Sequence, residues 1–303
     1  MRVPRLLTRS PSRGGLLPLA AVGLGFLGTV ASCSAGGTSY TSDADRGTTQ
    51  ALITVERRQT VGASASQAEA FASFVRTPPE VDPSLVTRVT GLDLGLPELG
   101  ECAAGSAGRD GSAALSPLRR LELLDAGDVA FETTSGRVEL ARRAFPAVTD
   151  LMAGVVYTTR DQSAELPAAS SYALSVGGSG ELAAFELRAE APPALESLAL
   201  DGQPLAPGVR LEKDARLSWA PGGDRDLVYV TVSSSELGST TICTFRDSTG
   251  HGLIPARSLP PSGPGQLSVH RLRSVTLAVP TLGGGELRFD FESYIPVEVV
   301  RAE

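Results

Sequence analysis

Glycine and proline interrupt this chain so often that long helices have little room to form. The sequence contains 33 Gly and 21 Pro in 303 residues, and both residue types end helices and mark turns. The segments between them are short apolar or alternating runs, which is the pattern of strands. Such runs occupy residues 51–55, 85–90, 118–124, 129–133, 152–157, 172–176 and 182–187. The best helix candidate, residues 67–75, fits a strand about as well, so the sequence predicts an all-β fold.

A pair of prolines divides the sequence into two parts. A strand-like stretch ends at residues 190–193, which read Glu-Ala-Pro-Pro, and a new alternation begins at Leu195. Tandem prolines are typical of a boundary between structural elements. We therefore predict two β-sandwich-like units, residues 51–190 and residues 194–303, each of ordinary domain size. The first unit carries no signature of a particular family.

The second unit contains the clearest alternation in the chain. Leu217 and Trp219 share one face of a predicted strand, and valines occupy every second position of the next run, residues 227–232. This part resembles a fibronectin type III or immunoglobulin-like sandwich, in which a tryptophan on an early strand packs over the core. One departure is the later strand at residues 267–272, which lacks the tyrosine of a tyrosine corner. A sandwich of different topology is therefore the alternative.

The N-terminus has the layout of a secretory signal. Four arginines precede an uncharged run, residues 16–30, and the small residues Ala31 and Ser32 follow it. The run is 15 residues long, whereas a helix that crosses a bilayer needs roughly 20. We therefore predict a signal peptide, residues 1–32, and not a transmembrane anchor.

Residues 30–33, Val-Ala-Ser-Cys, resemble the lipobox of bacterial lipoproteins. The resemblance implies cleavage before Cys33, a diacylglyceryl group on its thiol, and an acyl chain such as palmitate on the new amino terminus. Several acyl chains hold a protein firmly on a membrane. Ser34, at a position where aspartate signals inner-membrane retention in some of these families, favours the outer membrane of the cell envelope. The alternative is an ordinary signal peptide cut nearby. Residues 33–50 are rich in Ser, Thr and Gly, which predicts a flexible lipidated tether.

The mature chain is acidic. The formal net charge of the whole sequence is -7, and removal of residues 1–32, which carry four arginines and no acidic residue, leaves -11. Such a charge argues against nucleic acid as a partner. We predict contact with a membrane through the lipid anchor, and with envelope proteins or glycans.

Two cysteines, Cys102 and Cys243, remain after lipidation of Cys33. Exported proteins pass through a compartment in which disulfides persist, and a bridge between them would close a loop of about 140 residues. Two buried free cysteines are the alternative, because Cys243 lies in an apolar run where a thiol also packs well.

No spacing of residues predicts a catalytic site, a metal site or a cofactor. His251 and His270 lack a ligand pattern, and we expect His251 in a turn and His270 at the solvent or a sandwich edge. Asp224 and Asp226 follow Trp219 in a loop, where a solvated turn fits better than a cation site. The chain also lacks a Gly-x-Ser-x-Gly elbow and a phosphate-binding Gly-Lys loop.

The sequence therefore favours a non-enzymatic, lipid-anchored protein of the bacterial cell envelope. Its role would be binding, structural or accessory to an envelope assembly. This inference rests on the fold class, because sandwiches commonly act through their loops and edges. The alternative is an envelope hydrolase whose site is assembled from carboxylates and serines that are distant in sequence.

Overall fold

A computed structural model describes residues 47–82, 86–88, 90–105, 121–145, 153–160, 164–235 and 238–301. Strands dominate these residues. Helical backbone occurs within them only at residues 86–88 and in two short 3-10 turns, Asp247–Thr249 and Ala256–Ser258. The all-β prediction is confirmed.

The first half of the described chain contains ten strands. They are β1 (Thr48–Thr60), β2 (Ser66–Thr77), β3 (Cys102–Gly105), β4 (Glu122–Leu123), β5 (Val129–Thr133), β6 (Gly136–Glu139), β7 (Ala141–Phe145), β8 (Gly154–Thr158), β9 (Ser171–Val176) and β10 (Phe185–Glu190). The second half contains nine. They are β11 (Ala199–Leu200), β12 (Gln203–Pro204), β13 (Val209–Leu211), β14 (Ala215–Ser218), β15 (Leu227–Ser234), β16 (Thr240–Arg246), β17 (His251–Ile254), β18 (Gly263–Thr276) and β19 (Gly284–Val299).

Two of the sequence-predicted elements differ from the structure in an informative way. The prediction of a strand at residues 85–90 is wrong, because residues 86–88 are helical and the Thr90 N–H donates to the Val86 carbonyl at 2.8 Å. The strand predicted from Leu182 begins later, at Phe185. The Ser179 N–H donates to the Leu182 carbonyl at 2.7 Å, and this hydrogen bond keeps Leu182 in a turn. Residues 67–75 belong to strand β2.

Eleven strands form one continuous sheet. Their order is β3-β16-β15-β18-β19-β1-β2-β4-β8-β7, with β13 parallel to the far end of β19. Two smaller sheets have the orders β10-β9-β5-β6 and β12-β11-β14-β17. Two large hydrophobic cores lie against one face of the large sheet, and side chains of β19 contribute to both. We call that face the inner face of the large sheet and the opposite side the outer face. A third, smaller cluster lies on the opposite, outer side of β2 and β8 and contains Val75, Val81, Val86, Leu121, Leu123 and Val156.

The first core lies between the large sheet and the sheet of β5, β6, β9 and β10. The large sheet contributes β1, β2, β8, the last residues of β18 and the first residues of β19. Aromatic rings fill this core. The Tyr172 ring lies 5.6 Å from the Phe131 ring and 5.1 Å from the Phe289 ring, in edge-to-face contacts that stabilise aromatic clusters. All three residues are fully buried. This core unites residues from both ends of the described sequence.

The second core has the strand arrangement of a fibronectin type III or immunoglobulin-like sandwich. Strands β11, β14 and β17 lie side by side, and β16, β15, β18 and β19 form the facing layer. If the short β12 and β13 are left out, this unit has seven strands, β11 and β14 to β19. In chain order, strands one, two and five form one layer, and strands four, three, six and seven form the other, which is a Greek-key order. Trp219 is 4% exposed in this core, as the resemblance implied, and its ring lies 6.1 Å from the ring of Phe245.

The hairpin of β18 and β19 joins the two cores. Leu287 and Phe289 of β19 lie in the first core, and Ile295 and Val297 lie in the second. Strand β19 also pairs in parallel with β1 over eleven residues. The boundary at residues 190–194 falls between β10 and β11, but the hairpin belongs to both sides of it. The division into two domains stays a prediction, and all described residues belong to one compact unit.

Candidate functional site

The proposed lipidation site, Cys33, lies outside the described residues, as do the signal peptide and most of the tether. Lipidation therefore stays a prediction. The first strand begins at Thr48, beside the turn between β18 and β19, where the Gly283 N–H donates to the Thr49 carbonyl at 2.8 Å. In the described part of the chain, no helix is long and apolar enough to span a membrane.

Cys102 and Cys243 lie opposite each other on β3 and β16, and a disulfide joins them with a distance of 2.04 Å between the sulfur atoms. Strand β3 is the edge of the large sheet. The bridge therefore fixes an edge strand of four residues that backbone pairing holds only along one side. Cys243 itself is fully buried in the second core.

The structure corrects the prediction that Asp224 and Asp226 both lie in a solvated turn. Asp224 is exposed, but Asp226 is 1% exposed. Both carboxylate oxygens of Asp226 accept hydrogen bonds from Arg273, at 2.6 and 2.8 Å. A bidentate arginine contact satisfies a buried carboxylate. Asp226 is thus a structural anchor that holds Arg273.

A second buried ion pair lies beside it and was not predicted from the sequence. Arg271 and Asp247 are 1% and 0% exposed, and the Arg271 Nη2 to Asp247 Oδ1 distance is 3.0 Å. Arg271 also donates to the carbonyls of Pro193 and Ala194, at 3.1 and 2.9 Å. The guanidinium thus ties the 190–194 boundary segment to the shared hairpin. The Gly223 N–H donates to the other Asp247 oxygen at 2.9 Å.

His270, predicted to point to solvent or to sit at a sandwich edge, lies on the outer face of the inner strand β18, where its side chain is 14% exposed and belongs to a polar network. Its Nδ1 is 2.9 Å from Asp290 Oδ1, and its ring stacks on the Tyr229 ring at 4.2 Å. The Tyr229 hydroxyl donates to the other Asp290 oxygen. Burial raises the pKa of Tyr229 far above its usual value, and Asp290 raises it further. His251, predicted in a turn, begins the edge strand β17 and is exposed.

The network continues toward β1. Glu292 is 8% exposed and accepts a hydrogen bond from Arg58 Nε at 2.6 Å, and this bond raises the pKa of Arg58. The His270 Nε2 to Glu292 Oε1 distance is 3.9 Å. Both carboxylates that flank His270 therefore have a second partner, which is an arrangement suited to holding strands in register.

Glu56 lies in the same region, but its carboxylate differs from those of Asp290 and Glu292 in its partners. It stands directly opposite Glu69 on β2 and directly opposite Asp290 on β19. Within the described residues no hydrogen bond or ion pair reaches the Glu56 carboxylate. Desolvation raises its pKa, and the Asp290 and Glu69 charges raise it further. Glu69 is partnered by Arg160, with an Nε to Oε2 distance of 3.5 Å.

Glu56 and Glu69 line a concavity of about 450 Å3 on the outer face. Its apolar lining comes from side chains that include Leu52, Phe71 and Val156. Clefts that are mostly apolar and contain a few polar groups are the usual form of small-ligand sites. Among the described residues, no group of three His, Cys, Asp or Glu side chains has a geometry that could hold a metal ion.

We expect Glu56→Gln to raise the thermal stability at pH 7 by ~1 °C, because it removes a charge that faces two other carboxylates. A raised pKa means that folded Glu56 binds its proton more tightly than the unfolded chain does. The stability that this proton contributes is present below the ordinary glutamate pKa and is lost as the pH rises through the folded value. The gain should therefore vanish in acid. Melting curves of both proteins at neutral and acidic pH measure the effect, and an unchanged difference across pH would contradict it.

Comparison with known proteins gives no assignment from sequence, because neither protein-family models nor curated protein sequences match the chain. Two solved structures from chicken are similar in part. A two-domain fibronectin type III segment of tenascin is 10% identical, with a TM-score of 0.23, and the match covers 72% of this chain and 89% of that one. The FN1–FN3 domains of chicken CNTN1 are 14% identical, with a TM-score of 0.20, and the match covers 60% of this chain and 62% of that one. Likenesses this remote carry no argument about function, so the sandwich assignment rests on the strand order described above.

Proposed function

We propose that this protein is a lipid-anchored component of a bacterial cell envelope that acts as a binding or structural module. The observation that carries the proposal is the lipobox-like sequence at Cys33, which stands 15 residues before the first strand. Such a short polar segment can hold the folded body close to a bilayer while it remains free to turn.

The shared hairpin supports a structural role. Strand β19 has 16 residues, which corresponds to about 50 Å at 3.3 Å per residue. The tether joins the body beside the turn that precedes β19, whereas the second core surrounds the end of that strand. The second sandwich would therefore stand away from the membrane, with its loops and edges available to a partner protein or glycan.

Replacement of Cys33 tests the anchor. We expect Cys33→Ala to move the processed protein from the membrane fraction to the soluble fraction at high salt, and to abolish labelling by radioactive palmitate. Ser34→Ala is the matched control, because it changes the next residue and leaves the cysteine. Retention of Cys33→Ala protein of processed length in membranes washed with high salt would disprove the lipid anchor.

The binding role has its own test. Mild cross-linking of intact envelopes, followed by purification of the tagged wild-type protein, should recover the same partner repeatedly. The Cys33→Ala protein should recover less of it, because the partner would no longer lie within reach. Repeated absence of any partner in the wild type would count against a binding role and leave the anchor untouched.

A second candidate function, hydrolysis of a glycosidic bond, is favoured by the Glu56 and Glu69 pair. Glu56 and Glu69 lie directly opposite each other on β1 and β2, and retaining glycosidases use two neighbouring carboxyl groups about 5 Å apart. Glu56, with its raised pKa, would be the acid, and Glu69 the second carboxylate. If the protein releases sugar from envelope glycans, Glu56→Gln should lower that rate at least ~100-fold. Glu212→Gln, an exposed change in the second sandwich, should not.

A further inference from the structure

A region away from the outer-face network combines an unpaired strand edge with arginines whose side chains have no partner within the described chain. It is a cleft of about 440 Å3 between β10, the loop that precedes β15, and residues 273–276 of β18. Its lining includes Arg188, Arg225 and Arg273. We call it the arginine cleft.

The arginines of the cleft differ in their partners. Arg273 is bound to Asp226 on both carboxylate oxygens and is therefore neutralised. Arg188 and Arg225 are exposed, and across the described residues their guanidinium groups have no hydrogen bond, ion pair or ring contact. Among the described residues, Glu190 is the single acidic one that lines the cleft. Two free guanidinium groups thus face one carboxylate, on a protein whose overall charge is negative.

The backbone adds donors to the same cleft. The Leu277 N–H donates to the Gly285 carbonyl at 3.0 Å, so by the alternation of an antiparallel ladder the N–H groups of Ser274 and Thr276 point away from β19. Strand β15 pairs with β18 only as far as Leu272. Within the described chain, no strand covers the edge of β18 beyond that residue, so these two N–H groups face the cleft side.

We propose that the arginine cleft binds a phosphate group. A guanidinium group donates two parallel hydrogen bonds to phosphate oxygens, and it keeps its positive charge at all physiological pH values. Two arginines balance a doubly charged phosphate, and outward backbone N–H groups supply further donors. The phosphate could belong to free phosphate or to an anionic lipid head group. The inference does not depend on the lipid anchor, because it concerns described residues far from Cys33 in sequence.

The test is equilibrium dialysis of the full chain with radiolabelled inorganic phosphate at low ionic strength. We expect Arg188→Ala/Arg225→Ala to weaken binding at least tenfold. The matched control is Arg210→Ala/Arg216→Ala, which removes the same charge from two exposed arginines whose side chains have no partner in the described structure. The control should bind as the wild type does. Equal binding by the two double variants, or no binding by the wild type, would overturn the proposal.

A lipid arm identifies the source of the phosphate. Flotation of the Cys33→Ala chain with vesicles of phosphatidylglycerol, compared with phosphatidylcholine, reports recognition of an anionic head group without the covalent anchor. Binding that the Arg188→Ala/Arg225→Ala change abolishes supports a lipid source. Dialysis binding without flotation supports a soluble phosphate. Flotation that both double variants lose equally reflects net charge alone and contradicts a specific site. Arg225→Ala alone, which alters one exposed loop residue, should give an intermediate loss in the dialysis arm.

Discussion

Asp247→Ala is expected to lower the free energy of unfolding by about 3–5 kcal/mol, because it leaves the buried Arg271 guanidinium without its counter-charge. Asp247 is fully buried, and it accepts hydrogen bonds from Arg271 Nε at 3.2 Å and from the Gly223 N–H at 2.9 Å. Removal of the carboxylate therefore leaves several buried hydrogen-bond donors without an acceptor. Chemical denaturation monitored by the fluorescence of Trp219 measures the loss. This tryptophan is a near reporter, since its Nε1 donates to the Asp247 carbonyl at 3.0 Å.

Two controls separate the buried pair from a general effect of lost charge. Asp224→Ala removes a carboxylate from an exposed position of the neighbouring loop and should change stability by less than about 0.5 kcal/mol. Replacement of both partners, Arg271→Met with Asp247→Leu, should cost less than the sum of the single changes, since no unpaired charge remains. A single Asp247→Ala variant as stable as Asp224→Ala would show that the pair does not hold the boundary segment.

Loss of the disulfide is the second large effect. The double change Cys102→Ala/Cys243→Ala should destabilise the protein by about 2–5 kcal/mol, with the chain-entropy relation near the upper value for a separation of 141 residues. The loss arises mainly in the unfolded chain, which gains freedom when the long loop opens. Equilibrium denaturation of the oxidised wild type and the variant gives the difference.

Reduction provides the matched control for that experiment. A reductant should bring the wild type close to the variant and should leave the variant itself unchanged. Limited proteolysis adds a local readout. Strand β3 is a four-residue edge strand with pairing on one side only, so cleavage near it should accelerate in the variant before global unfolding does. Equal stability of the oxidised wild type and the variant would contradict a structural role for the bridge.

Local pattern was enough to predict the all-β fold and several strands, and the resemblance of the second part predicted a sandwich there, but neither predicted the way the chain closes. Alternation at residues 227–232 identified β15, and its valines lie in the second core. The parallel pairing of β1 with β19 joins segments more than 200 residues apart, and no pattern within a single sequence marks such partners. A signal did exist for the buried ion pair. Leu267, Val269 and Arg271 alternate on one face, so a charge at the third inward position required a buried partner.

The outer-face network was harder to anticipate for a physical reason. An exposed strand face normally carries polar residues, so Glu56, His270 and Asp290 looked unremarkable one at a time. They form a cluster only because β1, β19 and β18 are neighbours in the sheet. The arginine cleft has the same origin, since Arg188 and Arg225 belong to elements that meet beside β18.

The position of β19 at the end of the chain determines when this protein can fold. Neither hydrophobic interior is whole until residues 284–299 arrive, because that strand lines both and also receives β1 along its length. Contacts between such distant segments form slowly, since a long loop must close first. The chain would thus stay unfolded during synthesis until its late residues emerge, and a truncation before Gly284 would leave both cores incomplete, not only the second.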